Sequence, residues 1–129
     1  MRLALYTVAW ASLGLAQAQS PQAFVGRWTG DSTCVQAESA CRNEVVVYDI
    51  TAAETQGAFS MRAWKVVGGE QQSMGELPCT AAPDGASATC NYPQGAVWTW
   101  HVHGTTMTGE LRLRGQLFRR IRVQRAPAT

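Results

Sequence analysis

Two imidazoles fall two residues apart in Trp98-Thr99-Trp100-His101-Val102-His103. In an extended chain such positions project from one face, so His101 and His103 are placed side by side. Imidazole is the commonest metal ligand, but a zinc-like site needs three or four donors. The remaining donors would be carboxylates such as Glu110, and no spacing sets one alongside. The expectation is no metal and no cofactor, with His101 and His103 as the candidates that any metal would use. Catalytic patterns are absent too: the chain holds neither G-x-S-x-G nor H-E-x-x-H. Asp49, Glu76 and Glu110 could meet only through an unknown strand register. The expectation is a protein that is not an enzyme.

The four cysteines form two close pairs, Cys34 with Cys41 and Cys79 with Cys90. An even count in an exported chain reads as two disulfides, and four cysteines permit three connectivities. Local geometry favours neighbours. Asp84-Gly85 is a two-residue hairpin signal, in which both central residues take positive φ. Counting outward from it sets Cys79 opposite Cys90. No C-x-x-C supports a metal reading.

Export itself is read from the first residues. Arg2 supplies a charge, Leu3 to Ala16 is apolar and uncharged, and Ala16-Gln17-Ala18 offers the small residues of a cleavage site. The apolar run is shorter than the ~20 residues of a spanning helix. Residues 1–18 are thus expected to be a signal peptide, and 19–129 a single domain in the periplasm or outside the cell. Of eleven basic residues Arg2 is lost, which leaves ten against nine acidic. Near-neutral charge gives no reason to expect nucleic acid or stable membrane insertion. A monomer is expected.

Turn signals punctuate the mature chain at short intervals, and between them lie runs rich in β-branched and aromatic residues. Strands are expected near Ala23–Gly30, Glu44–Thr51, Ala58–Val67, Gln72–Leu77, Ser87–Tyr92, Val97–His103, Met107–Leu113 and Leu117–Gln124. No apolar period of 3.6 argues for a helix. The fold class is therefore all-β: an eight-stranded antiparallel up-and-down barrel, with a small β-sandwich as the alternative. Alternation sends Trp98, Trp100 and Val102 to one face and the histidines to the other. The tryptophan face is the better core. Ala58–Val67 is apolar on both faces, because Trp64 and Val66 oppose Phe59, Met61 and Ala63.

The last hairpin holds six arginines: Arg112, Arg114, Arg119, Arg120, Arg122 and Arg125. A loop of Arg114-Gly115-Gln116 pairs Leu113 with Leu117, Leu111 with Arg119, Gly109 with Ile121, and Glu110 with Arg120. Other registers would set like charges opposite one another, which is unfavourable. This register turns Arg119 inward. The outward arginines make a solvated face or a docking face for an acidic partner.

Phe24-Val25-Gly26-Arg27-Trp28 and Leu117-Phe118-Arg119-Arg120-Ile121 carry a resemblance. A first-strand Gly-x-Trp with a last-strand arginine across the indole resembles the closed end of lipocalin-like (calycin) barrels. The resemblance implies that Gly26, Trp28 and Arg119 form the barrel floor. It also implies a carrier of a small apolar or anionic ligand, for which Trp98, Trp100, Trp64 and Arg119 are the candidate lining residues from the strand patterns. Barrels of similar size, with the same opening Gly-x-Trp and a disulfide, act as periplasmic protease inhibitors. The alternative function is therefore an inhibitor or interaction module for an envelope or secreted protein, using loops or an exposed Trp64.

Overall fold

The computed structural model describes residues 3–7, 20–36 and 40–127. Most of the expected signal peptide lies outside the described residues. Residues 3–7 have no regular secondary structure and are exposed.

Eight antiparallel strands close into a barrel in chain order. They are β1 (Gly26–Cys34), β2 (Glu44–Ala52), β3 (Ala58–Val67), β4 (Glu70–Ala81), β5 (Ser87–Tyr92), β6 (Ala96–His103), β7 (Thr106–Leu113) and β8 (Gln116–Arg125). Among the described residues there is no helix. The meander follows from short connections, since antiparallel neighbours need only tight turns. Both disulfides are local, Cys34–Cys41 and Cys79–Cys90, and Cys79 stands opposite Cys90 in the β4–β5 register.

Inside, large side chains are set against small ones. Phe24, Trp28, Phe59, Met61, Met107 and Val123 are fully or almost fully buried, and Ala63, Ala81 and Ala88 leave them room. Phe24 stacks on Phe59 at 5.1 Å between ring centroids. Two glycines permit the closest approaches. A Cβ on Gly30 would lie 2.2 Å from the Arg122 carbonyl oxygen across the β1–β8 seam. A Cβ on Gly109 would lie 2.3 Å from the Trp100 ring, which rests on that glycine.

Three local expectations need correction. β1 begins at Gly26, not Ala23, because Pro21 starts a turn in which the Phe24 N–H donates to the Pro21 carbonyl. At the β4–β5 turn only Gly85 has positive φ (69°). The Gly85 N–H donates to the Ala82 carbonyl with Pro83 and Asp84 between them. Pro83 thereby takes the position where its ring favours an ordinary turn. At the β7–β8 turn Arg114 and Gly115 both have positive φ, 50° and 81°, and Leu113 faces Gln116 rather than Leu117. A bulge then absorbs Phe118, so the pairs Leu111 with Arg119, Glu110 with Arg120 and Gly109 with Ile121 stand as expected. The twist of the strands favours the two-residue turn, and the bulge restores the face parity.

Candidate functional site

The barrel floor shows what Gly26 and Trp28 do. Trp28 is fully buried, and its indole N–H donates to the Phe24 carbonyl at 2.9 Å. The guanidinium over its ring belongs to Arg125, not Arg119, at 4.3 Å from the ring centroid. Arg125 also donates to the carbonyls of Val25 (2.6 Å) and Ala23 (2.7 Å). A Cβ on Gly26 would lie 2.8 Å from Arg125 Nη1, and the glycine φ is +127°. The chemistry expected of the floor is present, but with the arginine six residues later. The reason is register: Trp28 faces Arg125 across the β1–β8 seam, whereas Arg119 faces Cys34.

Arg119 does point inward, at the opposite end. Its side chain is 12 % exposed and stands 3.5 Å from Glu44 Oε1. It donates to the Ser32 hydroxyl (3.0 Å) and the Arg42 carbonyl (2.8 Å). Arg42 directly follows Cys41 of the Cys34–Cys41 disulfide, so Arg119 ties the end of the β1–β2 connection to the barrel mouth. Most of its donors are thereby engaged, which leaves little for a ligand carboxylate. Arg119→Ala is expected to cost about 2 kcal/mol, because Glu44 loses its half-buried partner. Urea unfolding checks this, and a change within about 0.5 kcal/mol would place the side chain in solvent.

Trp98, Trp100 and Arg119 share the interior face. Leu111 stands opposite Trp98 on one side and opposite Arg119 on the other. Trp100 is buried and meets Tyr48 edge to face at 5.4 Å. Burial, with Glu44 nearby, pushes the Tyr48 hydroxyl well above its usual range. The Trp100 N–H has no hydrogen-bond partner among the described residues. Tyr92, 48 % exposed, meets Trp98 edge to face at the mouth.

Trp64 is not part of that set. It lies on the outer wall, opposite Val47 on β2. Val47 points outward yet is buried, while its neighbours Val45 and Val66 face each other and Val45 is 46 % exposed. Beside this apolar strip runs an incomplete seam. β4 has twelve residues, but only Cys79, Thr80 and Ala81 pair with β5. Pro78 follows the last of these pairs toward the mouth, and proline has no N–H to donate. From Glu70 to Glu76 the strand is exposed and paired only with β3. A bulge at Met74 interrupts that ladder and Gly75 takes φ +99°. Bulges and proline are devices that blunt a sheet edge. The disulfide Cys79–Cys90 sits at the last rung and staples the shortest ladder in the barrel.

Below the free edge is an outer cleft of about 590 Å³. Ser60, Glu76, Pro78, Thr89 and Asn91 line it, with Phe59 and Cys79 at its floor. Ser60 donates to Glu76, and Arg62 stands 3.9 Å from the same carboxylate. The expected strand, Gln72–Leu77, is shorter at both ends than the observed Glu70–Ala81, so the edge was not foreseen. Pro78 was the available signal.

The other charged candidates stay apart. Asp49 pairs with Arg27 at 2.8 Å, and Glu110 pairs with Arg112 at 2.7 Å rather than with Arg120 opposite it. Among the described residues no three of His, Cys, Asp or Glu gather as a metal set. His101 and His103 lie on the outer face with ring centroids 4.1 Å apart.

No family model matches the chain, and no curated protein matches it. The assignment rests on geometry: a closed eight-stranded barrel with two local disulfides. Two disulfides fit an oxidising compartment.

Proposed function

We propose that the protein is an exported interaction module that takes an extended segment of an envelope or secreted protein along the outside of its barrel. The observation that carries this reading is the free β4 edge from Glu70 to Glu76 beside the outward Trp64 and Val66. Unpaired backbone donors and acceptors are met most fully by another extended chain, and the adjacent apolar side chains supply selectivity. An inhibitor that occupies a protease with such a strand would be one form of this module. The outer wall also carries Arg27, Asp49, Arg62, Glu110, Arg112, Arg120 and Arg122, which suits water and not a lipid-facing barrel surface. A monomer is the simplest state for it.

A lipocalin-like carrier is the second reading, favoured by the unpartnered Trp100 N–H beside Tyr48. A ligand acceptor at that atom would remove a cost of about 1–3 kcal/mol. Against it stand the fully buried aromatic and methionine side chains that already occupy the interior.

One experiment separates the readings. Tag-free protein secreted by its own host is used as bait on the envelope and secreted fractions, in parallel with a Trp64→Ala/Val66→Ser variant. Native mass spectrometry is run on both. The interaction reading expects one defined partner on the wild type, at least about tenfold less on the variant, with unchanged melting of both. Equal retention on both baits, or a small molecule that co-purifies within the barrel, would overturn it.

A further inference from the structure

We propose that His101 and His103 form a chelating site for a late first-row divalent cation, with copper(II) the preferred ion. The site lies on the outer wall of β6, near the turn to β7, and is separate from the β4 edge. Both imidazoles leave the same face, and their rings stand 4.1 Å apart at an interplanar angle of 49°. His101 is half-buried and His103 exposed, so the pair is accessible.

The decisive feature is a relay behind His101. Ser87 stands opposite His101 in the β5–β6 register. Its hydroxyl donates to Asp84 Oδ2 at 2.9 Å, and His101 Nδ1 lies 3.1 Å from Ser87 Oγ itself. Asp84 Oδ1 accepts from the backbone N–H groups of Ala86 and Ser87, both at 2.9 Å. These donors hold the Asp84 carboxyl below the usual carboxylate range, so it is ionised at neutral pH. A hydroxyl has one proton, and the carboxylate is its strongest acceptor. Nδ1 of His101 must then be the donor to Ser87 Oγ. That tautomer leaves Nε2 with its lone pair free. An imidazole oriented through its other nitrogen by a carboxylate-linked acceptor is the arrangement found behind metal-binding histidines.

The nearest cross-strand neighbours of the pair are Thr108 and Thr106, which carry no charge to repel a cation. The chain supplies two nitrogens, and water completes the coordination. Such a mixed N,O set suits tetragonal copper(II), which also binds most strongly in the divalent series. The count of protein ligands argues against a closed structural zinc site, as the sequence indicated.

The test is a copper(II) titration of the metal-free, tag-free secreted protein, with glycine as a competing chelator. Calorimetry gives affinity and electron paramagnetic resonance gives the ligand atoms. One copper(II) per chain with two imidazole nitrogens is expected. His103→Gln should weaken binding at least about tenfold, and Ser87→Ala by about tenfold through loss of the relay. Circular dichroism confirms that the variants fold. A His101→Gln/His103→Gln variant that binds as tightly as the wild type would overturn the site, as would a signal without imidazole nitrogen. Unchanged affinity in Ser87→Ala would overturn the relay.

Discussion

Gly30→Ala is expected to destabilise the barrel by about 3 kcal/mol or more. The added Cβ would sit 2.2 Å from the Arg122 carbonyl oxygen and 2.8 Å from the Val123 Cα. Both are backbone atoms, so no rotamer change relieves the overlap. One strand must move from the other along the seam that closes the barrel, where Gly30 faces Val123. Gly109→Ala is a useful contrast. Its Cβ meets the buried Trp100 ring, which must shift against Tyr48 but is side chain and not backbone. Its cost should be smaller and should appear as a change in tryptophan fluorescence. Urea unfolding of the two variants checks the order. Equal stabilities would show that the β1–β8 seam yields as easily as a side chain.

The second large effect is expected at the floor. Arg125→Ala removes a guanidinium that covers Trp28 and holds the carbonyls of Ala23 and Val25. Loss of two charge-assisted hydrogen bonds and of the stacked cation should cost about 3 kcal/mol. The same change frees the segment before Gly26, so Phe24 is released from its stack on Phe59. Arg125→Lys should recover only part of the loss, because an ammonium cannot stack on the indole and reach both carbonyls. Thermal unfolding, together with protease cleavage between Pro21 and Gly26, reads both consequences. An Arg125→Ala protein as stable as the wild type and equally resistant to cleavage would show that the floor is held by the burial of Trp28 alone. That burial is on the order of 5 kcal/mol for a full indole.

These two sites show where reading the chain succeeds and where it stops. Alternation placed Trp98 and Trp100 inward and His101 and His103 outward, because strand side chains alternate whatever the neighbours are. The Asp84-Gly85 hairpin placed Cys79 opposite Cys90 because register propagates rung by rung from a turn. Charge opposition selected Glu110 against Arg120. Each of these depends on atoms within a few residues or on one adjacent strand.

The arginine on Trp28 is of another kind. Choosing between Arg119 and Arg125 required the stagger between the first and last strands, which are brought together only when the barrel closes. That stagger is a property of the whole sheet, set by strand tilt and number together. The same applies to the free β4 edge. Its length is decided by how soon β5 diverges, and Pro78 marks the place without stating which side is left open. Strand pairing also decided between the two roles open to Trp64, since a strand apolar on both faces has no preferred inside until its partners are known. The sequence by itself determined an all-β chain, the places of its turns, its local disulfides and the two faces of Trp98–His103. Closure decided which arginine holds the floor, and the three-dimensional course of β4 and β5 decided which edge remains unpaired. Local rules act over one ladder, whereas closure joins residues nearly a hundred positions apart.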